Sequence, residues 1–231
     1  MNLSASDRLA RFAVTVARPW GVPVRVHGSL AALAVPAVAW GAAEAGWRGA
    51  AVVALFTVGV VVSLVAHELG HVGVGRRYGL PTREVWVTPM GGVARMHLHR
   101  VPPQIDLRVA AAGPAVSLLL SVVCWAASLG LTVGPARAVW EAWGLLNLGL
   151  GAFNLLPVWP LDGGRMLRDV LAPWFGMRGA ARLALAVALV LTAVMAAIGW
   201  RTGQIGLLAV SLMLALLQRR AGRVLAAGGA V

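Results

Sequence analysis

A chain of 231 residues that is 59% hydrophobic and only 12% charged, with a mean hydropathy of +0.80, is too apolar for a water-soluble domain, which is about half apolar and about a quarter charged. The formal net charge of +12 comes from arginine alone, because lysine is absent, and no basic stretch interleaved with aromatics accompanies it, which excludes nucleic acid as a partner. The single cysteine, Cys124, lies in an apolar run and cannot close an internal disulfide.

Residues 1–27 carry Arg8, Arg11, Arg18 and Arg25 but no small-residue cleavage site, so they read as a retained cytosolic lead-in. Six apolar segments follow, at 29–46, 50–74, 107–131, 138–157, 180–199 and 203–219, each near the ~20 residues that span a bilayer. The last is short and interrupted by glycine. Between them the arginines alternate. The lead-in, the second and fourth connections and the tail hold 17; the other three connections hold one each, Arg48, Arg137 and Arg201. Cytosolic loops collect arginine, so both termini face the cytosol. Trp47, Trp140, Trp143 and Trp200 fall near the outer boundary, and Trp20, Trp159 and Trp174 near the inner one, as aromatic belts do.

Residues 81–104 do not span. Short alternating stretches flank Gly91-Gly92, which predicts a β-hairpin over 84–98 with Pro89 at an edge or bulge. His97 and His99 read as polar hairpin ends, and His27 as an interfacial packing residue. The expected fold is an all-α membrane protein of about six transmembrane helices, with a small membrane-associated β-hairpin between helices 2 and 3. The expected domains are the lead-in 1–27, a polytopic membrane domain 28–220 and a short cytosolic tail 221–231.

His67-Glu68-Leu69-Gly70-His71 stands near the inner end of the second segment. Two histidines four residues apart share a helix face and can hold one zinc ion, with the glutamate placed as a general base. An ionisable group inside a membrane is costly and marks a functional site. Catalytic zinc usually takes three protein ligands, and acidic residues are few. Glu44 and Glu141 lie near the outer face; Asp162 lies just past the inner end of the fourth segment, at the depth of the histidines. Two prolines and a Gly pair break the helix there and free backbone to line a polar cavity. The alternative role for Asp162 is to cap the helix expected over 163–172, and the two roles need not exclude each other.

These motifs resemble the site-2 protease family of intramembrane zinc metalloproteases. His67 through His71 match its zinc motif, Asn154 through Gly164 its N-x-x-P-x-x-P-L-D-G segment, and Met90-Gly91-Gly92-Val93-Ala94 its Gly-Gly hairpin. Val24-Arg25-Val26-His27 resembles the family's segment before the first span. Ala112 through Ser117 resembles G-P-x-x-N, with Ser117 where asparagine is usual. No PDZ insert or CBS pair is evident, so the likeness is to a minimal member.

The resemblance implies one Zn²⁺ per chain held by His67, His71 and Asp162, Glu68 as the catalytic base, and Asn154 as an oxyanion donor or substrate clamp. It implies a hairpin around Gly91, Gly92 and Val93 that holds the substrate as a strand. The reaction would be hydrolysis of a peptide bond in or near a transmembrane segment. The implied partner is a single-span membrane protein such as an anti-sigma factor or membrane-bound transcription regulator, in the plasma membrane, with the active site toward the cytosol. The competing readings are a metal-ion transporter built on the same His/Glu/Asp site and an inactive helix-binding adaptor. Oligomeric state has no signature in the sequence.

Overall fold

The computed structural model describes residues 12–89, 91–96 and 101–227. Met90, His97, His99 and residues 1–11 of the lead-in lie outside them. The chain forms two compact units, residues 1–98 with 115–151 and residues 99–114 with 152–231. The elements are β1 (Ala13–Ala17), a 3₁₀ turn (Pro19–Gly21), β2 (Val24–His27), α1 (Ser29–Arg77), β3 (Thr82–Thr88), β4 (Gly91–Met96), α2 (Pro103–Leu129), α3 (Pro135–Asn154), α4 (Asp162–Thr202) and α5 (Ile205–Ala226). The protein is mostly helical with one small sheet. Helices α1, α2, α4 and α5 are long and apolar enough to cross a membrane, and α1, for one, leaves Leu33, Val35, Trp40 and Trp47 more than 60% exposed. Apolar surface on that scale has no place in water; this is a multi-pass membrane protein.

In the first unit α1 is not one rod. Ala45 and Gly46 leave helical geometry, and a Cβ on Gly41 would lie 2.8 Å from the Gly49 carbonyl oxygen and from Val53. Eight residues along a straight helix cover about 12 Å, so the chain reverses at Ala45-Gly46. Gly46, at φ 60°, supplies a left-handed conformation that side-chain-bearing residues resist. The reversal falls on the last two residues of the expected segment 29–46, just before the connection to segment 50–74. The returning limb buries Gly59, Ser63, His67, His71 and Gly75, a four-residue ladder along one face.

The sheet runs β1-β2-β3-β4. β1 and β2 are antiparallel, β2 and β3 parallel, and β3 and β4 an antiparallel hairpin pairing Val85 with Ala94, Trp86 with Val93 and Val87 with Gly92. The sequence showed the hairpin but not the two strands that precede α1 and widen it. Pro89, expected at an edge or bulge, stands in the turn after β3, where its missing N–H costs no ladder bond; the irregularity lies between Thr82 and Glu84. Val22, Val24, Val72 and Val85 form the core that joins the sheet to α1, with Leu69 and Met96 packed on it. Glu84 ties three strands together: its carboxylate meets Arg25 of β2 at 3.3 Å and Arg95 of β4 at 2.8 Å, and both guanidiniums lie over the Trp86 ring. His27 closes the sheet onto α1, accepting the Ser29 backbone N–H at its Nδ1.

In the second unit Val158, Ala188 and Leu214 form the core, with Phe153, Trp159 and Leu191 against it. Gly176, at φ 66°, breaks α4 between the short helix expected over 163–172 and the apolar segment 180–199. Gln218 of α5 donates to Thr192 of α4 at 2.8 Å and to the Trp159 carbonyl at 3.1 Å, pinning both helices to the loop before α4.

Candidate metal centre

His67, Glu68 and His71 are all buried, with their potential ligand atoms within 4.8 Å of one another. The two imidazoles meet edge to face, centroids 5.0 Å apart and planes at 80°, with Nε2 of His67 3.3 Å from Nε2 of His71. Two nitrogens bound tetrahedrally to one zinc at about 2.05 Å are themselves about 3.3 Å apart. The spacing of the pair matches that of two nitrogens sharing one zinc ion, and the donor chemistry fits.

Ligation through Nε2 leaves the proton on Nδ1. In that tautomer His67 Nδ1–H donates to Ser117 Oγ, 2.9 Å away and fully buried on α2. Ser117, which stands where the resembling motif has asparagine, thus makes a buried hydrogen bond to His67. Such outer partners fix a ligand's tautomer and ring orientation.

Glu68 sits under the hairpin. A Cβ added to Gly92 would lie 2.5 Å from both Cγ and Oε1 of Glu68, so only glycine lets β4 cross the carboxylate this closely. Gly91 has φ 118°, a conformation open to glycine alone. The two glycines have different reasons: one shapes the turn, the other admits Glu68. Val93 follows, 57% exposed, on the strand at the end of the sheet.

One polar contact in this unit escaped the sequence reading. Asn147 of α3, 2% exposed, donates to Ser63 Oγ at 2.9 Å, one turn before His67 on the buried ladder. An amide inside an apolar segment is the signal that could have found it.

Asn154 and Asp162 belong to the second unit. Asn154 ends α3 and is half-buried. Asp162 is 8% exposed and is the first residue of α4; the N-cap is Leu161, so the alternative capping position is not the one Asp162 occupies. Its Oδ1 faces Arg165 Nη1 at 3.7 Å. The following glycines are there for contact. A Cβ on Gly163 would strike the carbonyl oxygens of Leu155 and Leu156, and one on Gly164 would lie 2.6 Å from the Trp159 nitrogen. The start of α4 is thereby pressed backbone to backbone against the Pro157–Pro160 loop.

The sequence profile of peptidase family M50 matches residues 55–134 and 130–198. Zinc metalloprotease MJ0392 of Methanocaldococcus jannaschii is 36% identical over 152 residues, 65% of this chain and 44% of the relative. Rip3 of Mycobacterium tuberculosis is 43% identical over 143 residues, 58% of this chain and 36% of the relative. The chain thus spans less than half the length of these curated relatives. The solved structure of a site-2 protease from Methanocaldococcus jannaschii superposes with a TM-score of 0.67 at 28% identity, covering 91% of this chain and 95% of that one. The matched region contains the His67–His71 motif, both glycines of the hairpin, Ser117 and Asp162, and the fold around them is shared. This chain belongs to peptidase family M50, whose metalloprotease members imply a metal cofactor, zinc by name.

Proposed function

We propose that the chain is an intramembrane zinc metalloprotease that cuts a single-span membrane protein in or near its transmembrane segment. The observation that carries this reading is the 3.3 Å His67–His71 nitrogen pair, with Glu68 buried beside it beneath Gly92 of the edge strand. His67, His71 and Asp162 would hold one zinc ion per chain. Zinc in such a site lowers the pKa of a water to about 7 and polarises a carbonyl.

Glu68 takes the proton of the attacking water and passes it to the leaving amine. Ser117 holds His67 in its ligating tautomer. Asn154 serves as a donor to the developing oxyanion or to substrate backbone. The substrate helix must unwind before its peptide bonds can react, and the open edge of β4 offers backbone groups to hold it extended. Because Gly92 lies directly on Glu68, a strand added beside β4 passes near the base.

The arginine alternation supports six spans, two of them from the limbs of α1 and one from α3, with both termini and the active site toward the cytosol. The substrate class that suits this placement is a membrane-anchored regulator, such as an anti-sigma factor, whose cytosolic part is released by the cut.

The test is Glu68→Gln in proteoliposomes with a single-span substrate. Loss of cleavage by about 10²- to 10⁴-fold, with zinc content unchanged, is the expected result. Cleavage that survives the substitution overturns the role of Glu68. Zinc flux across the vesicle in the absence of any cleavage by wild type would favour a transporter.

A further inference from the structure

Inside the second unit, five charged side chains from the start of α2 and the start of α4 form one connected group. Asp106, in the first turn of α2, accepts from Arg165 at 2.5 Å and, through its other oxygen, from Arg168. Arg168 also donates to Asp169 at 2.8 Å. Asp106, Asp169 and Arg168 are 5%, 3% and 9% exposed. Charges this deep are costly unless each is paired, and the same connection could have been anchored by exposed arginines at no such cost.

Arg165 is shared between two carboxylates, and unequally. It makes a direct hydrogen bond to Asp106 but stands 3.7 Å from Asp162, three residues earlier on the same helix. Residues at that spacing are neighbours on the helix surface, so the guanidinium could close onto Asp162 by side-chain rotation alone. A closed arginine–carboxylate pair occupies the lone pairs that a metal ion needs.

Resting on the reading of Asp162 as the third metal ligand, we propose that Asp106 is a positioning residue for the metal site. It draws Arg165 into a direct hydrogen bond, holds that guanidinium at 3.7 Å from Asp162 rather than hydrogen-bonded to it, and so keeps the Asp162 carboxylate oriented toward a divalent cation. Arg168 and Asp169 hold Asp106 from its other side.

The experiment measures zinc affinity of the detergent-purified full chain by competition with a chelator. Thermal unfolding of the metal-free protein is followed in parallel. Asp106→Asn keeps the shape, removes the charge and releases Arg165 onto Asp162. Zinc binding should weaken about tenfold or more, the scale of outer-shell substitutions. Asp106→Asn combined with Arg165→Met removes the competitor as well, and binding should return to the wild-type level or tighter. A merely structural role for Asp106 cannot produce that recovery.

Arg165→Met alone should bind zinc as tightly as wild type or more so, and it keeps the test decisive if Asp106→Asn does not fold. Unchanged affinity in Asp106→Asn, no recovery in the double variant, or weaker binding in Arg165→Met would each overturn the proposal. Asp162→Ala separates the two readings: undiminished zinc affinity there means Asp162 is not a ligand. A loss there without recovery in the double variant removes only the role of Asp106.

Discussion

At His67 one imidazole serves two partners: Nε2 faces His71 at 3.3 Å and Nδ1 meets Ser117 at 2.9 Å. Ser117→Ala should therefore weaken zinc binding about tenfold to a hundredfold with little change in the unfolding temperature of the metal-free chain, as read by chelator competition. Affinity equal to wild type would mean the hydroxyl does not orient the ligand. Gly92→Ala makes a sharper demand. The added carbon meets Glu68 at 2.5 Å, so either the carboxylate or the strand must move, and turnover of a model substrate should fall about a hundredfold while zinc stays bound. The motif spacing alone put His67, Glu68 and His71 on one helix turn, because a 3.6-residue period needs no tertiary knowledge. The partners Ser117 and Asn147 come from other helices, and no local period encodes which serine faces which histidine.

At the level of elements, the proposed capture of substrate as an added strand makes its demands on β4. Val93 and Ala94 are adjacent, so one backbone N–H points toward β3 and the other toward the open edge. Proline at the outward-facing position should lower turnover while sparing zinc content and unfolding temperature; proline at the inward-facing one should also destabilise the sheet by removing a ladder bond. Full turnover in both variants would exclude strand addition at this edge. The hairpin was legible because alternation around Gly91-Gly92 is local. The parallel pairing of β2 with β3 was not, since it joins Val24 to Val85 across all of α1. The reversal at Ala45-Gly46 is a case between: the sequence places a break just after it, at 47–49, but only the approach of Gly41 to Gly49 shows that the limbs fold back on each other.

Over the whole molecule, composition and arginine placement carry the proposed orientation. Arg48, Arg137 and Arg201 are the three arginines assigned to the outer side. Because Cys124 is the one cysteine, Cys124→Ser gives a clean background for labelling. A membrane-impermeant thiol reagent applied to intact cells should modify Arg48→Cys and Arg201→Cys but not Arg178→Cys; the reverse pattern would invert the topology. Charge counting also had a blind spot. It treated Arg165 and Arg168 as loop anchors, whereas both hold Asp106 in the second unit. An arginine count cannot tell a solvated anchor from a buried ion pair, since that depends on an aspartate some 60 residues away, at the start of α2.

The most direct measurement is zinc per chain by elemental mass spectrometry on the detergent-purified protein, comparing wild type with His71→Ala and Asp162→Ala. The expected result is one zinc in wild type and a clear loss in both variants, each of which should remain folded by circular dichroism. One zinc retained in Asp162→Ala would contradict the three-ligand site, and a folded wild type that takes up no zinc after supplementation would contradict the metalloprotease itself.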